Sequence, residues 1–340
     1  MKYLSALSYV MIILFYSTVS FAMSCEQAIS NAKHNGQFMM LDEHTIALLP
    51  SDAPAYNFDS TRYCFYLEDF VGPQCDIVSF VMEFRIKGTV AANSIQTYHR
   101  IDNRGTLKVK DIFIPVREDV LHKLDQLSRS KKGDFIELYS KWITKISKTK
   151  KLSEIVQYPK PGEPCGRPVR SHCGVFNFKQ ARIDARNIDV QCACDTGAIG
   201  NLGTIKASTI RGICTNLNKR EPNVDTTCIG VINVFIDGHE SCTITADTIV
   251  GIGTSAGVVN EVGDTITAET IEGRSYGNQG YAVHLNTGIL NRGEIETESA
   301  KCCSLYGKDC YRNESGYFDS KKVEGHISAK PQNICPNRQR

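Results

Sequence analysis

Several signatures are missing from this 340-residue chain, and each gap excludes a class of function. No HExxH or CxxC pair occurs and the eight histidines are dispersed, so neither a metalloprotease helix nor a paired-cysteine zinc site is spelled out. No metal centre and no cofactor is therefore expected. Net charge is nearly absent: 39 Lys plus Arg against 37 Asp plus Glu leave +2, which advertises no nucleic-acid partner and no general attraction to anionic surfaces. Past residue 22, no apolar run approaches the roughly 20 residues needed to span a bilayer. After about residue 170 helix signals are lacking as well, and Gly becomes frequent.

What is present points to an oxidising compartment. The chain opens with Lys2, an apolar stretch from Tyr9 to Phe15, and small residues at Ser20 and Ala22, the pattern of a secretory signal peptide cleaved after Ala22. Fourteen cysteines are then read as disulfide partners. A lipidated Cys25 is the weaker alternative. The residue three places before it, Ala22, is not the usual aliphatic one, and lipidation would leave an odd number of cysteines.

Pro159, Pro161, Pro164 and Pro168 make a stiff seam that divides the chain. Before it, residues 23–158 read as an α+β domain. Ser24 caps a helix from Cys25 to about His34, and a strand runs from Ile77 to Ile86. A hairpin follows, with Ser94–Ile101 and Thr106–Ile114 flanking Asp102–Gly105, and helices are expected at Glu118–Ser128 and Asp134–Lys148. The segment 129–151 is basic, with Trp142, Ile143 and Ile146 on its apolar side. It reads first as a solvated helix face rather than a lipid-binding one.

After the seam a phrase of the form IxAxxI recurs: Ile183, Ala185, Ile188; Ile205, Ala207, Ile210; Ile244, Ala246, Ile249; Ile266, Ala268, Ile271; and a degenerate copy from Ile295. The steps are 22, 39, 22 and 29 residues, and Gly212, Gly251 and Gly273 follow in register. Stacked coils that place Ile over Ile predict a right-handed parallel β-helix over 169–300, followed by a Cys-rich cap over 301–340. The phrases Gly257–Asn260 and Thr287–Gly293, each leading into such a strand, resemble the coils of bacterial adhesin and autotransporter passenger domains, over residues 175–300 or so. That resemblance implies display at a surface, adhesion or carbohydrate contact. The chain departs from such passengers in its abundant cysteine and in lacking a C-terminal barrel pattern.

Candidate site residues follow from the same frame. Cys192 and Cys214, one coil apart, are expected to pair, or Cys194 in place of Cys192. Cys64 and Cys75 are expected to close a local loop, and Cys302, Cys303, Cys310 and Cys335 to brace the end. The insertion in the 29-residue step carries Arg274, Tyr276, Asn278 and Tyr281, with His284 beyond, a set suited to stacking on and hydrogen bonding a glycan or other cell-surface ligand. Asp195–Ala198 spells DTGA, but a single copy between coils reads as a turn, not half of a protease dyad. Asn187, Asp189 and Asp237–Glu240 could line a polysaccharide hydrolase or lyase face. Their spacing matches no defined signature. The expectation is a secreted, disulfide-rich, non-enzymatic structural or surface-recognition protein, with a β-helix polysaccharide hydrolase or lyase as the alternative.

Overall fold

The computed structural model describes residues 23–34, 37–49, 64–79, 83–97, 100–114, 155–156, 174–192, 197–214, 229–234, 241–253, 255–275, 287–305 and 309–328. The chain begins with helix α1 (Cys25–Asn31), β1 (Lys33–His34), β2 (Gln37–Met40) and β3 (Thr45–Leu49). Short and long strands then alternate: β4 (Cys64–Glu68) and β5 (Phe70–Ser79), β6 (Glu83–Ile86) and β7 (Thr89–Thr97), β8 (Arg100–Asn103) and β9 (Thr106–Ile114). After the two-residue β10 (Ile155–Val156) come β11 (Gly174–Asn177) and β12 (Arg182–Cys192), β13 (Gly197–Asn201) and β14 (Thr204–Cys214), β15 (Ile229–Asn233) and β16 (Thr243–Gly253). The series ends with β17 (Ala256–Asn260) and β18 (Thr265–Ser275), β19 (Thr287–Asn291) and β20 (Glu294–Leu305), β21 (Tyr311–Asn313) and β22 (Tyr317–Ser328).

From β4 onward the short strands of these pairs stack, with β1, into one 10-stranded sheet, and the long strands, with β2, β3 and β10, into one 12-stranded sheet. Pairing within the stack is parallel, and only β1, β2 and β10 at the N-terminal edge run antiparallel to their neighbours. Each short–long pair is thus one coil of a β-solenoid, and the two sheets do not close on each other.

The recurring phrase dictates the interior as the spacing predicts. Ile183, Ile205, Ile244, Ile266 and Ile295 stand in register, as do Ile188, Ile210, Ile249 and Ile271. All are at most 1% exposed. Nothing but apolar side chains meets in these columns, so each added coil buries its neighbour's open face.

The expected α+β domain is not found among the described residues. The described residues of 23–114 include one helix, of seven residues, and their strands belong to the same two sheets as the later coils. Strand β9 pairs with β12, and β8 with β11, in parallel register. A single apolar cluster runs from Ile29 and Phe38 through Val90 and Ile112 to Ile295. The hairpin is overturned too: β7 and β9 are parallel neighbours, Ser94 facing Asp111, and β8 lies between them in sequence but in the other sheet. A tight solenoid corner such as Asp102–Gly105 carries the same Asn–Gly chemistry as a hairpin turn, which is why the two look alike locally. Likewise the strand expected over Ile77–Ile86 is split between β5 and β6, in different sheets. The helices expected at 118–128 and 134–148, the basic segment and the proline seam lie outside the described residues. The parallel stack also continues past residue 300, through β22.

One polar column accompanies the apolar ones. Every strand of the 10-stranded sheet from β8 onward ends in asparagine, and Asn103, Asn177, Asn201, Asn233, Asn260, Asn291 and Asn313 form a ladder. Each side-chain amide donates to the next Oδ1 at 2.7–3.1 Å. The same Nδ2 groups also donate to main-chain carbonyls at the corner, as Asn201 does to Gly203 and Thr243. Asn103 through Asn291 are fully buried. Burial of so many amides is tolerable because both ends of each are satisfied.

Ser24 caps α1 as expected, in a reciprocal box with Gln27. The helix buries Cys25, Ala28 and Ile29 over the first coils. Its Cys25 is bonded to Cys75, which corrects the expected Cys64–Cys75 loop: Cys64 lies on β4 of the short-strand sheet, whereas Cys75 on β5 meets the helix. Cys302 is bonded to Cys310. Cys303 and Cys214 are also in disulfides, and the strand register sets Cys192 directly beside Cys214. Cys194 and Cys335 lie outside the described residues.

Candidate functional site

The variable positions of the IxAxxI phrase project outward, and the backbone bends where the phrase passes its Ala. At that bend the pairing skips Arg186, Ser208 and Asp247. Small alanines here let neighbouring strands turn together. The result is an open groove of about 480 Å³ crossing three coils, lined by Asp184 and Ala185, Lys206 to Ser208, and Thr245 to Asp247. Asp184, Lys206 and Thr245 are register partners. A carboxylate, an ammonium and a hydroxyl therefore succeed one another at the spacing of adjacent strands, about 4.8 Å.

The surrounding charges are largely compensated. Arg182 Nε lies 2.7 Å from Asp184 Oδ2, and this hydrogen bond raises the Arg182 pKa above its ordinary value. Arg186 reaches Asp111 at 3.1 Å, and Arg211 reaches Asp189 at 3.2 Å. Such a surface offers alternating donors and acceptors for a polyhydroxylated chain. For acid–base chemistry it offers only Asp184 and Asp247, with the Lys206 strand between them.

Of the residues picked from sequence, Arg274 sits at the end of β18, largely covered and ion-paired with Glu272, so its guanidinium is already engaged. Tyr276, Asn278, Tyr281 and His284 lie outside the described residues, as do Asp195 and Asp237–Glu240 apart from their flanks. Asp189 is engaged by Arg211 and Asn187 by Asp111. Neither lines the groove. Gly197 and Ala198, expected as a turn, open the buried strand β13. The groove residues were in view as the x positions of the repeated phrase. Their grouping required knowing where the strand bends.

A second polar feature lies at the corner beside the asparagine ladder. In other coils this corner is held by Ala181, Gly203 and Gly293, but here Cys242 and Asp264 occupy successive levels, each followed by the first residue of a long strand. Asp264 Oδ1 accepts from the Cys242 N–H at 2.9 Å. The Cys242 thiol is free, buried and 3.4 Å from the Val234 carbonyl. Burial, and then the Asp264 charge, push this thiol up to about 12. Asp264 is fully buried and its Oδ2 has no hydrogen-bond partner among the described residues. Desolvation raises its pKa despite the Cys242 hydrogen bonds.

The sign of the resulting pH dependence follows. A carboxyl whose folded pKa is raised holds its proton more tightly in the native state than in the unfolded chain, so the stability it lends is complete below the unfolded value and is lost as pH climbs through the folded one. Chemical denaturation from pH 4 upward should show this loss, and Asp264→Asn should flatten it. The same slope in wild type and variant would assign the dependence to other groups.

No protein-family model matches the chain, and neither the curated proteins nor the solved structures contain a significant match. Among the described residues, no helix is long and apolar enough to cross a membrane, and no group of three or more His, Cys, Asp or Glu is placed to hold a metal ion.

Proposed function

We propose that this is a secreted, adhesin-like structural or surface-recognition protein, a right-handed parallel β-helix that binds an extended glycan or cell-surface ligand along its outer face and turns over none. The disulfides fit maturation in an oxidising compartment, in keeping with an N-terminal secretion signal cleaved near Ala22. Right-handedness is the rule for crossovers between parallel strands of one sheet.

The observation that carries the reading is the groove across three coils, where polar groups are presented at the strand spacing by hydrogen-bonded parallel strands. Repetition at one spacing suits a ligand that is itself repetitive. Three segments that break the coil period, 115–173, 215–228 and 276–286, each leave a long strand and return to a short one. The 276–286 segment carries Tyr276 and Tyr281, the residue types suited to stacking on a sugar ring.

Binding of the purified protein to a panel of polysaccharides and host-surface preparations tests this. Lys206→Ala with Ser208→Ala should weaken binding about tenfold, as loss of a polar anchor pair does, with the unfolding midpoint unchanged. Tyr276→Ala with Tyr281→Ala probes the adjacent segment in the same assay. Cleavage of a polysaccharide, abolished by Asp184→Asn or Asp247→Asn, would replace this reading with the hydrolase or lyase.

A further inference from the structure

Charge is sorted along the outer face of the long-strand sheet. From β9 to β20, the first, third and fifth residues of each long strand turn outward on the arm that precedes the bend. On β9, β12 and β14 these positions hold Lys108, Lys110, Arg182, Arg186 and Lys206 against Asp184 alone. On β16, β18 and β20 they hold Asp247, Glu269, Glu294, Glu296 and Glu298 and no cation. The remainder are Thr and Ser. Two halves of opposite sign therefore adjoin between β14 and β16.

Little of this charge is neutralised within the chain. Arg182 binds Asp184, Arg186 reaches Asp111 past the bend, and Glu298 meets Lys321. The last two are exposed pairs, weak and exchangeable. Lys108, Lys110 and Lys206 have no ion-pair partner among the described residues, and neither have Asp247, Glu269 and Glu296. A partner of one sign would be drawn to one half and repelled by the other. A second copy, turned end for end, satisfies both.

We propose that this face is the contact of a reversible two-fold dimer. The axis lies in the interface, parallel to the strands and between β14 and β16. Rotation about it keeps the strand direction and reverses the order of the coils, so each outward column meets itself. Lys108 then faces Glu296 of the partner subunit, Lys110 faces Glu298 of the partner subunit, and Arg186 faces Glu269 of the partner subunit. Asp184 faces Thr267 of the partner subunit, and Lys206 faces Thr245 of the partner subunit. Each pair occurs twice, and on this arm no like charges are opposed. Packed sheets stand about 10 Å apart, a gap that extended Lys and Glu side chains bridge together. They also cross at about 30°. Because Glu294, Glu296 and Glu298 stand side by side on β20, Lys108 keeps a carboxylate opposite it at that angle.

The self-complementary face closes on one partner and does not propagate. It also covers the groove that holds Lys206 and Asp247. A second copy and a groove ligand exclude each other, so ligand competes with dimerisation by mass action. The dimer itself does not depend on the glycan reading.

Sedimentation equilibrium of the disulfide-intact protein tests the contact without any ligand. A monomer–dimer equilibrium is expected at low salt, shifting to monomer toward about 1 M salt, where the screening length falls to about 3 Å. Lys108→Glu sets like charges opposite each other twice and should raise the dimer dissociation constant about tenfold or more. Glu296→Lys should do the same. Mixed, the two variants should pair with each other about as tightly as wild type, because each supplies the charge the other lacks, a recovery that misfolded variants could not give. A wild type monomeric at every concentration in low salt overturns the proposal. So does a dimer indifferent to salt or to Lys108→Glu, or a mixture no tighter than either variant alone.

Discussion

Replacing Asn201 with leucine should lower the unfolding free energy by about 4 kcal/mol, among the largest losses a single side chain in this protein can cause. Asn201 donates to Asn233 and to the carbonyls of Gly203 and Thr243, and accepts from Asn177 and from the Gly203 N–H. Leucine is close in size but satisfies none of these groups. Each buried polar atom stripped of its partner costs roughly 1–3 kcal/mol, and the residual contacts at the corner keep the sum below the arithmetic total. Asp at the same position keeps the acceptor, removes the donor and adds a buried charge, so Asn201→Asp should fare no better at neutral pH. Urea unfolding with a two-state fit measures both. A loss under 1 kcal/mol for the leucine variant would mean that the ladder is ornamental and that the apolar columns alone hold the coils in register.

Gly251→Ala should cost about 3 kcal/mol for a steric reason. A Cβ at Gly251 would stand 2.1 Å from the Gly257 carbonyl oxygen and 2.6 Å from a Val258 methyl. Gly212 meets Gly230 and Gly273 meets Gly288 in the same way, each at 2.2 Å from the carbonyl oxygen. The two sheets touch backbone to backbone along this line, and neither can retreat without disturbing the coils above and below. In the next coil Cys302 stands at the Gly273 level and Cys310 just before the residue paired with Ile289. There the pinch gives way to a covalent bridge between the sheets. Gly200→Ala is the control. Its Cβ would meet the Phe176 ring at 2.9 Å, a side-chain contact instead of a main-chain one, so the loss should be smaller, about 1–2 kcal/mol. Equal losses at both positions, read from thermal unfolding, would refute the contact between sheets as the cause.

The solenoid was legible where its phrase is spelled with Ile and Ala, and the register of those residues is the one the spacing implies. It was illegible before the proline seam because the same phrase is written there in other letters. Val90, Ala92 and Ile95, then Leu107, Val109 and Ile112, repeat the spacing and are all buried, but their step is 17 residues and neither copy matches the identities found later. Shorter coils lack the extra residues at the corners, so a search keyed to 22 passes over them. The ladder was legible only as isolated asparagines: a lone Asn before a turn is ordinary turn chemistry, and its meaning as a column appears once the coils are aligned. The groove was half legible. Outward positions can be named from the phrase, whereas the bend that gathers them depends on skipped pairings at Arg186, Ser208 and Asp247. Cysteine pairing was the least readable, since Cys25 and Cys75 are 50 residues apart and only the placement of α1 over β5 brings them together.

The Cys25–Cys75 bond also gives the molecule a direction under load. Force on the C-terminus would act on β22 first, and parallel coils are held to one another by short-range contacts only, so they would detach singly. Each 22-residue coil would release about 75 Å of chain. The Cys302–Cys310 bridge would interrupt the sequence early by holding back the residues it encloses. At the opposite end α1, riveted to β5, would be the last element to yield. Tension would therefore shorten the rod from its open end while the anchored end kept its shape, which is the mechanical behaviour of a tether that lengthens in steps before it breaks.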